Sequence, residues 1–322
     1  MRIGNITDFK EAKIIKALKN KNKNIDYLTV LITISFILLL LSQAAVILSV
    51  LVPYQKEFGY LFKYLVFGFV LFHSIKTIGV KNGLFFIGLC VIAALIGEYG
   101  ATSHGWFYGH YVFADVPYKI LGLPSYKVLG VPLEGLFSWA ISIYLAYCIT
   151  NLIFRGYKSD VSRTLTYGLI LFLAVIDSII VMNVNMLTDP IAIQQRAFYY
   201  TGGVVGKYFG IPAFTSVSWF LTIFLIMFLF RSYELSGIKR RRFDPSLTSQ
   251  LLRGRTVSAL DIMPLFVFLV WALIRYGALA LVYKHVDLIL IGTAGMVPFV
   301  IIGILAYFVL KYEKEADNVT SR

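Results

Sequence analysis

Twenty-five consecutive residues after Tyr27, LTVLITISFILLLLSQAAVILSVLV, contain no charge. A helix needs about 20 such residues to cross a bilayer, so a stretch of this kind spans one. Similar runs recur along the chain, roughly at 27–52, 58–76, 82–101, 131–154, 163–186, 212–230, 262–283 and 286–310. They are too long for barrel strands and show no strand alternation. The expected architecture is therefore all-α: a polytopic transmembrane helix bundle of about eight spans. Residues 27–310 form one membrane domain, flanked by tails at 1–26 and 311–322.

Lysine and arginine orient the bundle. With the N-terminus in the cytoplasm, the two tails and the even-numbered loops hold 22 basic residues, against six in the opposite loops. An even number of spans returns the C-terminus to the same side. The expected location is a cell membrane, multi-pass, with both termini cytoplasmic. The net charge of +13 mostly reflects this topology. The run KRRR at 239–242, in the long cytoplasmic loop 231–261, fits anionic headgroups of membrane lipids better than nucleic acid, and no nucleic-acid partner is expected. Residues 1–26 read as polar and basic, not as a signal peptide. They form either a solvated tail or a short interfacial helix that Asp8 is placed to cap. Cys90 and Cys148 fall within spans and read as small buried hydrophobes.

Two copies of one pattern mark the middle of the chain: GVPLEGLFSW from Gly130 and GIPAFTSVSW from Gly210. Each follows a long outer loop, about 102–130 and 187–211, and places Pro at the first turn of the next helix, where a missing N–H costs nothing. Glu98 lies 32 residues before Gly130, and Asp177 lies 33 before Gly210. The segments 82–154 and 163–230 thus read as a tandem repeat of helix–outer loop–helix units, related by an axis along the membrane normal.

Carboxyls within spans face a cavity or a partner, because charge in hydrocarbon is costly. A protonated one can deliver a proton. Glu98 and Asp177 are the candidates, and each has the alternative of simply bonding a neighbouring helix; Lys63, His73 and Arg275 are the in-span basic groups that could pair with them. The first outer loop carries His104, His110, Asp115 and a dense aromatic group, Trp106, Phe107, Tyr108, Tyr111 and Phe113, between Gly105 and Gly109. It reads as an ordered loop folded over a cavity mouth, since glycine permits close packing and positive φ. Histidines six apart do not share a helical face, and no metal site is assigned. The second loop holds Asp189-Pro190, read as a turn or helix start, with Phe198, Tyr199, Tyr200 and Tyr208. Neither loop has a phosphate-cradling glycine loop, a nucleophile elbow or an aspartate-rich diphosphate motif.

Glu98 with Gly100, the pattern G-x-x-Y-G-x-Y-x-F at 105–113, Val131-Pro132-Leu133 with Trp139, Asp189-Pro190, the aromatics at 198–200, and Gly210-Ile211-Pro212 with Trp219 together resemble the carotenoid biosynthesis membrane-protein family. That family includes hydratases of γ-carotene and of bisanhydrobacterioruberin. The chain departs from its pattern at Tyr108, Phe113, Asn185, Phe198, Tyr200, Thr215 and Ser218. The resemblance implies addition of water to a terminal isoprenoid double bond, giving a tertiary alcohol and using no cofactor. It implies a carotenoid or other long isoprenoid lipid as substrate. Glu98 or Asp189 would be the acid, with Asp177 a further candidate, and His104 or His110 would hold the water or relay a proton. Tyr108, Tyr111 and Tyr200 would stabilise a cation through their ring faces, and Phe113, Trp139, Tyr208 and Trp219 would complete the substrate pocket. Two other classes stay open: a small-solute transporter with Lys63, His73, Asp177 and Arg275 along its path, and a non-catalytic lipid- or carotenoid-binding protein.

Overall fold

The computed structural model describes residues 26–49, 55–114, 126–155, 167–201, 207–240 and 258–320. The basic stretch before Asp26, with its expected interfacial helix, lies outside the described residues, as do Asp115 and the segment 241–257.

Eight helices occupy the eight expected spans: α1 (Tyr27–Ser49), α2 (Gln55–Ile78), α3 (Val80–His104), α4 (Leu133–Arg155), α5 (Tyr167–Gln194), α6 (Ala213–Arg240), α7 (Ala259–Val282) and α8 (Val286–Thr320). Among the described residues six of them, α3 to α8, are long and apolar enough to cross a membrane. The chain is an α-helical, polytopic membrane protein. At its centre stands α4, which touches α2, α3, α5, α7 and α8. Its spanning stretch is 72% buried, against 28% for α8. A helix that is apolar all round has to be covered on every face, and residues 139–147 are buried without a break.

Two helices run further than expected. The sixth continues to Arg240, which brings Arg231 into the membrane domain instead of the loop. The fifth continues to Gln194 and takes Asp189-Pro190 inside it, so this dipeptide is neither a turn nor a helix start. Proline lacks an N–H and leaves the carbonyl four residues earlier without its helical donor. That carbonyl belongs to Met186, and the Tyr208 hydroxyl donates to it at 3.1 Å. Tyr208→Phe therefore leaves this half-buried acceptor without its donor; we expect a loss of about 1 kcal/mol in thermal unfolding, and an unchanged melting temperature would refute this role.

The same order of elements occurs twice. After α3 come β1 (Tyr111–Phe113) and the hairpin β2 (Lys127–Val128), β3 (Val131–Pro132), then α4; after α5 come β4 (Phe198–Tyr200) and the hairpin β5 (Lys207–Tyr208), β6 (Ile211–Pro212), then α6. Strands of two or three residues are too short to show alternation, which is why the sequence reads here as loop. Both hairpins turn on a pair of positive-φ residues, Leu129 and Gly130 (52° and 82°) and Phe209 and Gly210 (48° and 91°). Positive φ at both central positions is the turn that matches strand twist, and glycine takes it at no steric cost. The recurring Gly-x-Pro is thus a hairpin turn followed by the last strand residue, and each helix starts one position after its Pro. Across the two units β1 pairs antiparallel with β4, setting Tyr111 opposite Tyr200 and Phe113 opposite Phe198. This ladder is extended by Thr201 N–H to His110 O (3.0 Å) and Ala114 N–H to Ala197 O (3.1 Å).

Candidate active site

Glu98 lies in the last two turns of α3. The helix stops at Gly105, in left-handed conformation (φ 69°), whose N–H returns to the Ala101 carbonyl. The chain then doubles back over α3, and two glycines admit it. A methyl group at Gly97 would lie 2.8 Å from the Tyr108 hydroxyl oxygen, and one at Gly100 would lie 2.6 Å from the Trp106 ring. This return places Tyr111 against Glu98. One carboxyl oxygen accepts the Tyr111 hydroxyl, and the other accepts the indole N–H of Trp139 at 2.8 Å. Both oxygens of a buried acid are satisfied by neutral donors.

Asp189 occupies the matching place on α5. It is five residues from the end of its helix, as Glu98 is six from the end of α3. Among the described residues, the adjacent Thr188 hydroxyl donates to it at 3.2 Å. Glu98, Lys63 and Tyr200 all interact with it electrostatically.

Between the two acids is a cavity of about 160 Å³, bordered by both, by Lys63 from α2, and by Glu134 at the start of α4. Its polar wall comprises Ser138, Ser142, Asn185 and Thr188; Tyr111, Phe113, Phe198 and Tyr200 from the β1–β4 ladder line it too, with Trp139, Trp219, Trp271 and Tyr276 from the helices. Alternation along the ladder puts Val112 and Tyr199 on the other face, where both are exposed. Ser138 and Ser142 donate to the carbonyls of Glu134 and Ser138 (2.7 and 2.8 Å), so their remaining capacity is as acceptors. Burial pushes the Tyr111 phenol well above its usual range, and Glu98 adds to this. Tyr200 is pushed up by burial and then by Asp189. Both phenols are neutral donors at physiological pH.

Of the residues singled out from sequence, Glu98, Asp189, Tyr111, Phe113, Trp139, Tyr200 and Trp219 meet at this cavity. Tyr108 stands behind its wall, its ring 5.9 Å from that of Trp139 and 6.2 Å from that of Trp219, and its hydroxyl bonded to Thr222. Thr215 and Ser218 hold this loop to α6 by donating to the carbonyls of Tyr108 and Phe107 (2.9 and 2.6 Å). The structure places the other four elsewhere. Tyr208 serves Met186, as above. His104 is exposed and stacks on Trp106, and His110 is exposed and bonds Thr201. Asp177 is fully buried in a two-pronged ion pair with Arg231 (2.7 and 3.0 Å), a residue whose position falls in the loop expected from sequence.

The three expected basic partners also separate. Lys63 borders the cavity, Arg275 lies over the Phe62 ring at 4.8 Å, and His73 bonds Tyr144 (2.7 Å) and the Leu260 carbonyl (2.9 Å). A carbonyl only accepts, so Nε2 of His73 carries the proton. Sequence reasoning did not assign Glu134, Ser142, Thr188, Trp271 or Tyr276 to the site. Glu134 reads as an ordinary first-turn acid favoured by the helix dipole. Trp271 sits in a stretch of π-helix, Leu269–Ile274, inside α7, for which the sequence carries no signal. Among the described residues no group of three or more His, Cys, Asp or Glu side chains could hold a metal ion.

Fold and site together define a membrane-embedded helical bundle with two carboxyls facing one aromatic, partly polar chamber. Residues 58–279 match the family model described as carotenoid biosynthesis protein, and the chain belongs to that family. Its role lies in carotenoid biosynthesis. The match runs from α2 into α7, beyond the stretch from Glu98 to Trp219 on which the resemblance rested. No curated protein and no solved structure matches the chain.

Proposed function

We propose that the protein hydrates the end group of an acyclic carotenoid or related long isoprenoid, converting a terminal trisubstituted alkene to a tertiary alcohol. The observation that carries this reading is the pairing of Glu98 and Asp189 across one aromatic-lined cavity. Hydration needs an acid for the alkene, a base for the water, and a surrounding that tolerates a tertiary cation between the two steps. One carboxyl protonates the terminal CH carbon, whose π pair forms the new C–H bond. The cation left on the dimethyl carbon faces the rings of Tyr111, Phe113, Phe198 and Tyr200. Water then gives a lone pair to that carbon as the second carboxylate takes its proton. The acceptor atoms of Ser138 and Ser142 offer such a water two partners.

The size of the chamber supports recognition of an end group, with the rigid polyene left among the helices and lipid. In the orientation set by the basic residues, the hairpin end faces outward and both termini face the cytoplasm. The test is expression in a bacterium that makes lycopene and its elongated relatives, followed by mass analysis of extracted pigment. A gain of one water, or of two if both ends react, is the expected result. Unchanged pigment with the protein present in the membrane would refute the proposal.

A further inference from the structure

Glu98 and Asp189 are not equivalent, and the difference lies in their donors. Glu98 accepts the Trp139 N–H and the Tyr111 O–H. The corresponding donors of the second unit are Trp219, which repeats Trp139 in the Gly-x-Pro…Ser-Trp register, and Tyr200, which stands opposite Tyr111 in the ladder. Both border the cavity with Asp189. Yet the Trp219 Nε1 and the Tyr200 hydroxyl are buried with no hydrogen-bond partner among the described residues. Thr215 gives its hydroxyl proton to the Tyr108 carbonyl, and its oxygen lies beside the Tyr200 phenol as a neutral acceptor, which a carboxylate would outcompete.

A buried donor left unmade is costly, and native interiors hold few of them without a use. The Trp271 Nε1 is a third such donor at the cavity, reaching it from α7. An acid that must release a proton inside a membrane becomes a carboxylate there, and its conjugate base then needs donors. Glu98 already has its donors and is set up as a carboxylate. Asp189 has them in reserve.

On the hydratase reading, we infer that Asp189 is the proton donor to the alkene, that Tyr200 and Trp219 are positioning residues whose O–H and N–H receive the carboxylate it becomes, and that Glu98 is the base that takes the proton from water. Atoms balance over the cycle. The Asp189 O–H bond breaks as the alkene C–H bond forms, the water O–H bond breaks as Glu98 gains a proton, and that proton returns to Asp189 through solvent.

The roles separate by isotope exchange. If protonation succeeds but water is not deprotonated, the cation returns a proton to the Asp189 carboxylate and the alkene is recovered. In D2O some of that alkene carries deuterium. Membranes containing the wild type or a variant are incubated with lycopene in D2O, and mass spectra of hydrate and of recovered alkene are recorded. Asp189→Asn should reduce both hydrate and deuterated alkene at least about 100-fold, the range of a lost general acid. Asp189→Glu, which keeps an acid, should restore part of both and so show that the position folds. Glu98→Gln should lose hydrate to the same extent while deuterated alkene persists. Tyr200→Phe and Trp219→Phe should each slow the appearance of deuterium about tenfold without changing the hydrate-to-exchange ratio, since one hydrogen bond to a charged group accounts for roughly that factor. Exchange that survives Asp189→Asn and vanishes in Glu98→Gln would reverse the roles and overturn the assignment. A wild type that yields neither hydrate nor deuterium would refute the hydratase reading itself, and the assignment with it; the two failures differ in which protein is inert.

Discussion

Arg231→Met should lower the unfolding free energy of the detergent-solubilised protein by about 3–5 kcal/mol, the cost of leaving a buried charge without its partner. Asp177 is 0% exposed and Arg231 4%, and the guanidinium holds both carboxylate oxygens while its third nitrogen donates to Asn151 at 3.1 Å. Arg231 also lies over the Tyr147 ring at 5.0 Å, and the Tyr147 hydroxyl donates to Glu234 at 2.5 Å. The cluster therefore joins α4, α5 and α6 far from the chamber. Asp177 and Asp189 are separated by twelve residues of α5, about 18 Å of helix rise. Breaking the pair from either side leaves a lone charge, but replacing both members removes the charge altogether. Asp177→Leu with Arg231→Met should recover most of the stability lost by the single change, since apolar replacements of whole buried pairs are often neutral or better. Thermal unfolding of the single and double variants measures the difference. If the single variant is as stable as the double, Asp177 is not held by Arg231 in the folded protein and its exclusion from the proton chemistry fails.

That exclusion also shows where the sequence misleads. Counting back from Gly130 and Gly210 matches Glu98 with Asp177, because both distances are nearly equal. The structure matches Glu98 with Asp189 by counting from the helix ends. The linker from α3 to its hairpin runs over 105–126, and the linker from α5 runs over 195–206, ten residues shorter. Loop length is a poor ruler because a longer loop costs little in closure entropy, whereas a helix fixes position at 1.5 Å per residue. The spans themselves are legible because bilayer thickness demands a run of apolar residues at every crossing. The β1–β4 ladder is invisible because its strands are three residues long and its partners lie 85 to 89 positions apart. The aromatic density before α4 and the paired Gly-x-Pro motifs do point to an ordered cover, and that cover is what the ladder and hairpins form. His104 and His110 looked like chemistry because histidine titrates near neutrality, but their sequence neighbourhood carries no information on which side of the cover they face.

Gly97→Ala should cut hydration activity by about 100-fold while costing about 1–3 kcal/mol of stability, the size of a single overpacked methyl acting on a site where a shift of 1 Å has that effect on rate. The added methyl would meet the Tyr108 ring at 2.8 Å from Oη and 2.9 Å from Cε2. A flexible side chain would swing aside, but Tyr108 is only 1% exposed, its hydroxyl is bonded to Thr222 at 2.9 Å, and its carbonyl accepts from Thr215. The ring sits between Trp139, whose indole N–H is given to Glu98, and Trp219, whose N–H has no partner among the described residues. Displacing Tyr108 thus disturbs both acids through one contact, without touching either. Tyr108→Phe in the same background removes only the nearest atom, and the ring carbons still clash, so it should not restore the rate. Gly68, where an added methyl meets nothing within 4 Å, supplies the control: Gly68→Ala should leave both activity and melting temperature unchanged. Pigment hydration and thermal unfolding of the three variants give the comparison. A fully active Gly97→Ala protein would mean that Tyr108 is free to move, and that the wall it forms does not set the geometry of the two carboxyls.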